Sequence, residues 1–441
     1  MYSNKDIWKV SYPILLSLFA QNVINVTDTA FLGRVSDVAV GASGMAGMFY
    51  ICFYTIAFGF SVGAQVLMAR RNGEKRYFEV GPIMTQGMLF LFAMAFLTFL
   101  FSKTFGGSIL RPMISSDHVY ESAVEFLDWR VFGFFFSYIS VMFRALYISI
   151  TKTKVLTINA AVMAVVNIVL DYGLIFGNFG LPEMGIKGAA IASVIAEASS
   201  ILFLVMYSWI TIDFKKYGFT NLRHSFDPKL LGRILNISSF TMLQYFFSFA
   251  SWFAFFIAVE RLGEKQLAVS NVVRSIYIML LIPTHALSAT VNSMVSNTIG
   301  AGRIDQVKGL VWKIAKMSFL IMFVLVSITA LFPREALGIY TTDPDTIEMG
   351  IKSVYVVLIS MMVASLANVL FGAISGTGNT KSALVLEMIT IIIYTVYIGF
   401  IGMILKMPVH ICFTTEILYY GVLLLVSYIY LTKGNWQNKQ I

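Results

Sequence analysis

The chain has 441 residues, of which 58% are hydrophobic and only 12% are charged, and its mean hydropathy is +0.79. A soluble protein of this length needs more polar surface than this composition supplies, so a soluble globular or disordered chain is excluded. The formal net charge is +9. In a membrane protein, an excess of Lys and Arg indicates which loops face the cytoplasm. The positive net charge therefore does not require a nucleic-acid partner.

Apolar segments of membrane-spanning length follow one another along nearly the whole chain, separated by polar residues, Gly or Pro. The predicted spans of the first half are 10–32, 43–69, 82–102, 124–148, 155–176 and 187–209. Those of the second half are 235–259, 267–298, 310–332, 352–375, 382–405 and 410–431. The predicted fold class is therefore an all-α membrane protein with about 12 transmembrane helices. The opening segment is expected to be the first span and not a cleaved signal peptide.

Lys and Arg are distributed unequally between the two sets of loops. Most of the 32 basic residues lie at the termini and in the loops on the same side, whereas the opposite loops are rich in Asp and Glu. Positively charged loops stay on the cytoplasmic side of a membrane. Both termini are therefore expected in the cytoplasm.

The two halves resemble each other weakly. Short motifs recur in order at nearly constant separation, such as Val38-Ala39-Val40 with Leu267-Ala268-Val269. This repeat predicts two six-helix bundles, an N-lobe at 1–210 and a C-lobe at 234–441, joined by a cytoplasmic linker at 211–233. Duplicated bundles of this kind are typical of transporters that alternate between inward-open and outward-open states, and a channel or receptor on a duplicated scaffold is the alternative.

Motifs of other functional classes are absent from the sequence. It contains no H-x-x-x-H, no G-x-S-x-G and no Walker A phosphate loop, so neither an enzyme nor an ATP-driven pump is expected. Cys52 and Cys412 both lie in apolar segments and are expected to pack there, with no disulfide framework or metal-ligand spacing around them.

Five motifs stand out in chain order: Pro13 with Val26-Thr27-Asp28-Thr29-Ala30-Phe31-Leu32-Gly33-Arg34, Asn167-Ile168-Val169-Leu170-Asp171, the segment from Gly188 to Glu197, Gly300-Ala301-Gly302-Arg303, and the segment from Gly372 to Lys381. Together they resemble motifs of the MATE (multidrug and toxic compound extrusion) family, closest to its DinF-like branch. The resemblance covers essentially the whole chain. It implies a V-shaped pair of lobes and cation-coupled export of organic compounds.

Charged side chains in the middle of a span are functional candidates, because each costs about 3 kcal/mol on insertion scales. Asp28 lies in span 1 and Asp171 in span 5, with Asn167 one helical turn before Asp171 on the same face. The repeat alignment places Ile257, Tyr394 and Ile398 at the equivalent positions of the second half. Two carboxyl groups with an amide oxygen can take a proton or bind Na⁺, and the sequence leaves the choice open. The predicted coupling-ion site is therefore in the first half.

Three further residues are assigned to this machinery. Glu197 in span 6 matches the DinF-like pattern and is expected to complete the ion site together with Ser193, one turn before it; the alternative is a carboxyl that only packs helices. Pro13 removes a backbone hydrogen bond in span 1, which would let this helix bend between states. The alternative is that Pro13 merely begins the helix.

The substrate surface is predicted from aromatic, methionine and polar side chains, which suit a promiscuous site for lipophilic cations or planar molecules. The predicted residues are Gln21, Asn25, Met48, Tyr54, Gln244, Tyr245, Phe249, Tyr277 and Glu416. The sequence leaves the roles of Glu387, Glu416, Arg274 and His285 undecided. Arg274 is expected to pair with an acid or to extend towards the interface.

The predicted function is a secondary antiporter of a bacterial cytoplasmic membrane that exchanges H⁺ or Na⁺ for amphipathic organic compounds. No cofactor is expected, and Na⁺ is the only metal ion considered, as a coupling ion. The expected partners are the small-molecule substrate, the coupling ion and membrane lipid, and a monomer suffices for the mechanism. A lipid-linked oligosaccharide flippase of the same superfamily is the alternative, which the small number of intramembrane basic residues disfavours.

Overall fold

The computed structural model describes residues 2–220 and 226–437, and this part of the chain is helical, without strands. The helices of the first half are α1 (Asn4–Val35), α2 (Asp37–Gly73), α3 (Val80–Leu110), α4 (Asp117–Arg130), α5 (Gly133–Ser149), α6 (Lys154–Phe176) and α7 (Gly185–Thr211). Those of the second half are α8 (Pro228–Glu260), α9 (Glu264–Gly300), α10 (Val307–Leu331), α11 (Pro333–Gly338), α12 (Pro344–Gly376), α13 (Thr380–Ile398), α14 (Val409–Cys412) and α15 (Thr414–Lys433).

The long helices confirm the predicted membrane fold. Within the described ranges, 11 helices are long and apolar enough to cross a membrane, and the bent pair α4 and α5 gives a twelfth when counted as one span. A chain in lipid must satisfy its backbone hydrogen bonds within each segment, which is why apolar runs of this length form helices. Most predicted spans lie within single helices, but 310–332 and 382–405 extend beyond the ends of α10 and α13, and 124–148 and 410–431 are each divided between two helices.

The fourth span differs from the prediction of one continuous helix over 124–148. It is broken between Arg130 and Gly133, and the two pieces are bent by 54°. A Cβ atom at Gly133 would overlap the Arg130 guanidinium and the Glu197 carboxylate. The break therefore lies where the missing side chain of Gly133 lets a charged pair pack against the backbone. The hydrophobic periodicity of the sequence does not predict this break.

The repeat is visible in the order of the elements. The two longest helices, α2 and α9, have 37 residues each, and each is followed by a short 3₁₀ turn, at Tyr77–Glu79 and Ile304–Gln306 respectively. The helices α3 and α10 come next in the chain. The two halves are thus built from equivalent elements, as the sequence repeat predicts.

The helices group into two compact units. The first unit comprises Leu16–Asn72 and Arg76–Asn236, and the second comprises the chain up to Leu15, Gly73–Lys75 and the chain from Ile237 onward. The division therefore passes through α1. Of the predicted linker at 211–233, residues 221–225 lie outside the described part of the chain.

Small residues allow α6 and α7 to pack closely in the first unit. A Cβ atom at Gly188 of α7 would press against the Leu174 carbonyl of α6. Neighbouring positions of α7 are also small and buried, including Ala189 and Ala192. This close approach is typical of helix pairs in membranes, and it fixes the position of α6 within the unit.

We expect Gly188→Ala to destabilise the protein by about 1–3 kcal/mol, because a backbone carbonyl cannot move aside as a side chain can. The matched control is Gly44→Ala in α2, where an added Cβ meets nothing within 4 Å. That control is expected to be neutral or to stabilise by up to about 1 kcal/mol through helix propensity. Thermal unfolding of the purified protein measures both, and equal effects would contradict the packing argument.

Candidate functional site

A group of polar residues lies inside the first unit, on α1 and α6. Asn167 and Asp171 are one turn apart on α6, and only 1% and 0% of their surfaces are exposed. Asp28 lies on α1 and is half-buried. An edge-to-face contact between Phe31 and Phe176, with ring centres 5.7 Å apart, packs α1 against α6 beside this group. The structure therefore brings together the three polar residues that were predicted to form the ion site.

The carboxyl groups of Asp28 and Asp171 are close enough to act on each other electrostatically. Within the described residues, no hydrogen bond satisfies either Asp171 oxygen, Asp28 Oδ1 or the two polar atoms of the Asn167 amide. Two neighbouring carboxyl groups cannot both be ionised in a buried place unless a cation lies with them. Such a set can hold one shared proton, or bind a hard cation such as Na⁺ through carboxylate and amide oxygens.

Glu197 has a different partner from the one predicted. It forms a two-pronged ion pair with Arg130, with Nη2 to Oε1 at 2.6 Å and Nη1 to Oε2 at 3.0 Å. Tyr50 adds a hydroxyl group 3.5 Å from both carboxylate oxygens. The Glu197 carboxylate therefore forms an ion pair between α4 and α7, which agrees with the alternative of a helix-packing carboxyl, and its part in the ion site stays a prediction. Ser193 lies one turn before Glu197 on α7 and is half-buried.

Arg130 connects this ion pair to the aspartate pair. Its guanidinium group lies over the Tyr50 ring at 3.8 Å, and that ring stacks on Phe134 at 4.4 Å. The Tyr50 hydroxyl shares a 2.8 Å hydrogen bond with Ser137. Arg130 also acts electrostatically on Asp28. One basic side chain thus lies within range of both acidic groups.

Pro13 lies well inside α1, since the helix begins at Asn4. The alternative that this proline merely begins the helix is therefore wrong. The division between the two compact units falls after Leu15, two residues beyond the proline. The start of α1 is held in the second unit by a 2.9 Å hydrogen bond from Lys313 Nζ to the Tyr2 carbonyl. The helix therefore contributes to both units, and its proline lies close to the division.

The predicted substrate residues of the first unit have mixed surroundings. Gln21 and Asn25 are exposed on α1, and Met48 and Tyr54 are half-buried on α2. None of the hydrogen bonds found among the described residues joins these four to one another. They remain a predicted surface and do not form a bonded cluster.

In the second unit, two of the predicted substrate residues do meet. Tyr277 donates a 2.9 Å hydrogen bond to Glu416 Oε2, and Tyr394 donates one of 3.2 Å to Oε1. The Tyr277 hydroxyl also shares a 2.8 Å hydrogen bond with Tyr420. Of the remaining predictions, Gln244 is buried, whereas Tyr245 and Phe249 are half-buried.

Glu387 lies in the same unit and is also enclosed, with 2% of its surface exposed compared with 5% for Glu416. Its Oε1 atom accepts hydrogen bonds from Ser248, at 2.6 Å, and from Tyr419. His285 is exposed on α9. The second unit therefore holds two buried carboxyl groups, both bound by tyrosine hydroxyls.

Sequence reasoning missed the partners of these acidic groups. No local sequence pattern pairs Arg130 with Glu197, and only the structure brings these residues of distant spans together. Tyr394 occupies the repeat position of Asn167, so the alignment already pointed to a polar side chain there. Tyr277 is among the predicted substrate residues, whereas nothing in the sequence singles out Tyr394, Tyr419 and Tyr420 from the 21 tyrosines as partners of buried carboxyl groups.

Comparisons with known proteins agree with this architecture. A family model described as MatE matches residues 13–173 and 240–411. The probable multidrug resistance protein NorM of Thermotoga maritima is 25% identical over 392 residues, covering 88% of this chain and 83% of that protein. The probable multidrug resistance protein YoeA of Bacillus subtilis is 22% identical over 383 residues, covering 86% and 82%.

A solved structure described as the outward-facing conformation of a multidrug resistance MATE family transporter has the same fold. Its TM-score is 0.90 at 16% identity, covering 99% of this chain and 97% of that one. The family model matches well over half of the chain, including both halves of the repeat. This chain therefore belongs to the MatE family, whose members are multi-pass membrane transporters and not enzymes.

Proposed function

We propose that this protein is a cation-coupled antiporter that exports amphipathic organic compounds, and that it binds its coupling H⁺ or Na⁺ at Asp28 and Asp171. The observation that carries the proposal is the pair formed by buried Asp171 and half-buried Asp28, in which both Asp171 oxygens and Asp28 Oδ1 lack hydrogen bonds from the described residues. The names of the relatives, probable multidrug resistance proteins, support an organic substrate.

The coupling would follow from electrostatics within the first unit. A bound cation cancels one negative charge of the aspartate pair. After its release the pair is more negative, and it either attracts Arg130 away from Glu197 or favours a new arrangement of α1. The cation therefore stabilises one conformation over the other, which is what coupling requires. Pro13 would allow α1 to bend as this balance changes, because the helix lacks one backbone hydrogen bond there.

The proposed location is a bacterial cytoplasmic membrane with both termini on the cytoplasmic side. The distribution of Lys and Arg among the loops supports this orientation. A monomer contains both compact units and both halves of the repeat, so the proposal does not require an oligomer.

Transport in reconstituted vesicles tests the proposal. The protein is reconstituted in liposomes, and accumulation of the fluorescent organic cation ethidium is measured with a pH gradient, a Na⁺ gradient or neither. We expect one gradient to drive accumulation above the level of protein-free vesicles. Equal accumulation with and without both gradients would contradict cation coupling.

A further inference from the structure

Arg274 of α9 is a buried cation without a hydrogen-bonding partner among the described residues. Only 3% of its surface is exposed, and none of its three guanidinium nitrogens donates a hydrogen bond to a described group. A guanidinium group carries five N–H donors and stays charged in proteins. This burial contradicts one of the two expectations from the sequence, that the side chain extends to the interface, and leaving such a group buried and unbonded is costly.

Three aromatic rings of α8 surround this guanidinium. Its central carbon lies 4.2 Å from the Trp252 ring, 4.3 Å from Phe256 and 4.7 Å from Phe255. Ring faces attract a cation but accept no strong hydrogen bond from its N–H groups. Phe255 is fully buried, whereas Trp252 and Phe256 are half-buried, so the cage reaches the surface of the second unit at those two rings.

The acidic group that acts most strongly on Arg274 does not form a hydrogen bond with it. Glu416 is the charge that acts on it most strongly. However, Glu416 Oε2 accepts from Tyr277 and Oε1 from Tyr394, and no hydrogen bond joins the carboxylate to the guanidinium. The hydrogen bonds that Glu416 accepts from described residues thus come from tyrosine hydroxyls, and no carboxylate among those residues binds the N–H donors of Arg274. The donors are left for another anion.

We propose that Arg274 is a binding site for the carboxylate of an aromatic organic anion, with Trp252 and Phe256 packing against its ring. A guanidinium fork fits a carboxylate in two-pronged geometry, and it discriminates in favour of that group over a neutral amide. This inference rests on the proposed transport function, because it adds an acidic group to the description of the exported compound. It concerns the second unit, whereas the proposed coupling site belongs to the first.

Binding to the full-length protein in lipid nanodiscs tests the inference without transport. Tritiated naphthalene-2-carboxylate is the probe, and naphthalene-2-carboxamide is its neutral competitor. We expect the wild type to prefer the carboxylate by at least about tenfold, the equivalent of one charge-assisted hydrogen bond. Arg274→Gln should lose this preference, whereas Arg274→Lys should keep part of it, because it retains the charge without the fork.

Glu416→Gln is the second variant, and its expected effect has the opposite direction. Removing the competing negative charge should tighten carboxylate binding, whereas loss of a merely structural residue would weaken it. Equal binding of acid and amide by the wild type, or an unchanged preference in Arg274→Gln, would overturn the inference. Preferential binding of naphthylmethylammonium, abolished in Glu416→Gln, would overturn it as well and make the site cationic.

Failure of this inference can be separated from failure of the proposed function. Asp171→Asn alters the first unit only and is expected to keep the carboxylate preference while losing gradient-driven transport. Retained binding without transport in that variant supports both proposals. Loss of the carboxylate preference in Asp171→Asn would contradict an independent site at Arg274.

Discussion

Asp171→Asn is expected to reduce gradient-driven ethidium accumulation to the level measured without a gradient. Asparagine keeps the shape of the side chain but can neither take up a proton nor supply a carboxylate charge to Na⁺. Asp28→Asn should have the same effect, because the two carboxyl groups act on each other as one pair. Accumulation of ethidium in proteoliposomes is the measurement.

Asp171→Asn is also expected to be more stable than the wild type. Asp171 is fully buried and neither of its oxygens is hydrogen-bonded within the described chain. An asparagine amide can donate to Asp28, and removing one of two like charges relieves their repulsion, so a gain of about 0.5–2 kcal/mol is expected. Lost transport with raised stability is the expected result for a functional carboxyl, and it excludes misfolding as the cause.

The control for this prediction is Glu125→Gln, which removes an exposed carboxyl from α4. It should leave ethidium accumulation unchanged. Its free energy of unfolding should stay within about 0.5 kcal/mol of the wild-type value, as is usual for surface substitutions. Full gradient-driven accumulation in Asp28→Asn and Asp171→Asn would contradict the assignment of the coupling site.

Arg130→Gln or Glu197→Gln alone is expected to destabilise the protein by about 3–5 kcal/mol, because each leaves the other charge buried without its partner. The two side chains are only 14% and 15% exposed. The double variant Arg130→Gln/Glu197→Gln should recover part of this loss, since it removes both charges. Unfolding of the four proteins in a double-mutant cycle gives the coupling energy directly.

An exposed ion pair of the same helix supplies the comparison. Lys103 bonds to Asp128 of α4 at 2.8 Å, and Asp128 is 52% exposed. Lys103→Gln should therefore cost no more than about 1 kcal/mol. If Arg130→Gln costs as little as Lys103→Gln, the buried pair does not hold the broken fourth span in place.

The membrane spans could be predicted from sequence because the bilayer imposes them on each segment separately. A helix of sufficient length and apolar content satisfies its own backbone, whatever its neighbours are. The break after Arg130 could not be predicted in this way. It depends on Glu197, a residue of another helix, and on the missing side chain of Gly133.

The acidic residues of the candidate site could be predicted from sequence, but their partners could not. The cost of an intramembrane charge marks Asp28 and Asp171 without any structure, and helical spacing adds Asn167. The same rule marks Glu197 but does not identify Arg130 as its partner, because ion pairing between distant spans leaves no local pattern. In the second unit, Tyr394 binds a buried carboxyl at the position that Asn167 occupies in the first.

Release of the coupling cation on substrate binding tests the central claim most directly. Purified protein in weakly buffered detergent solution is titrated with ethidium, and released H⁺ or displaced ²²Na⁺ is measured together with bound substrate. The account predicts release in proportion to bound ethidium for the wild type and for Glu125→Gln. It predicts no release for Asp171→Asn, and undiminished release from that variant would contradict the proposal that the Asp28–Asp171 pair holds the coupling cation.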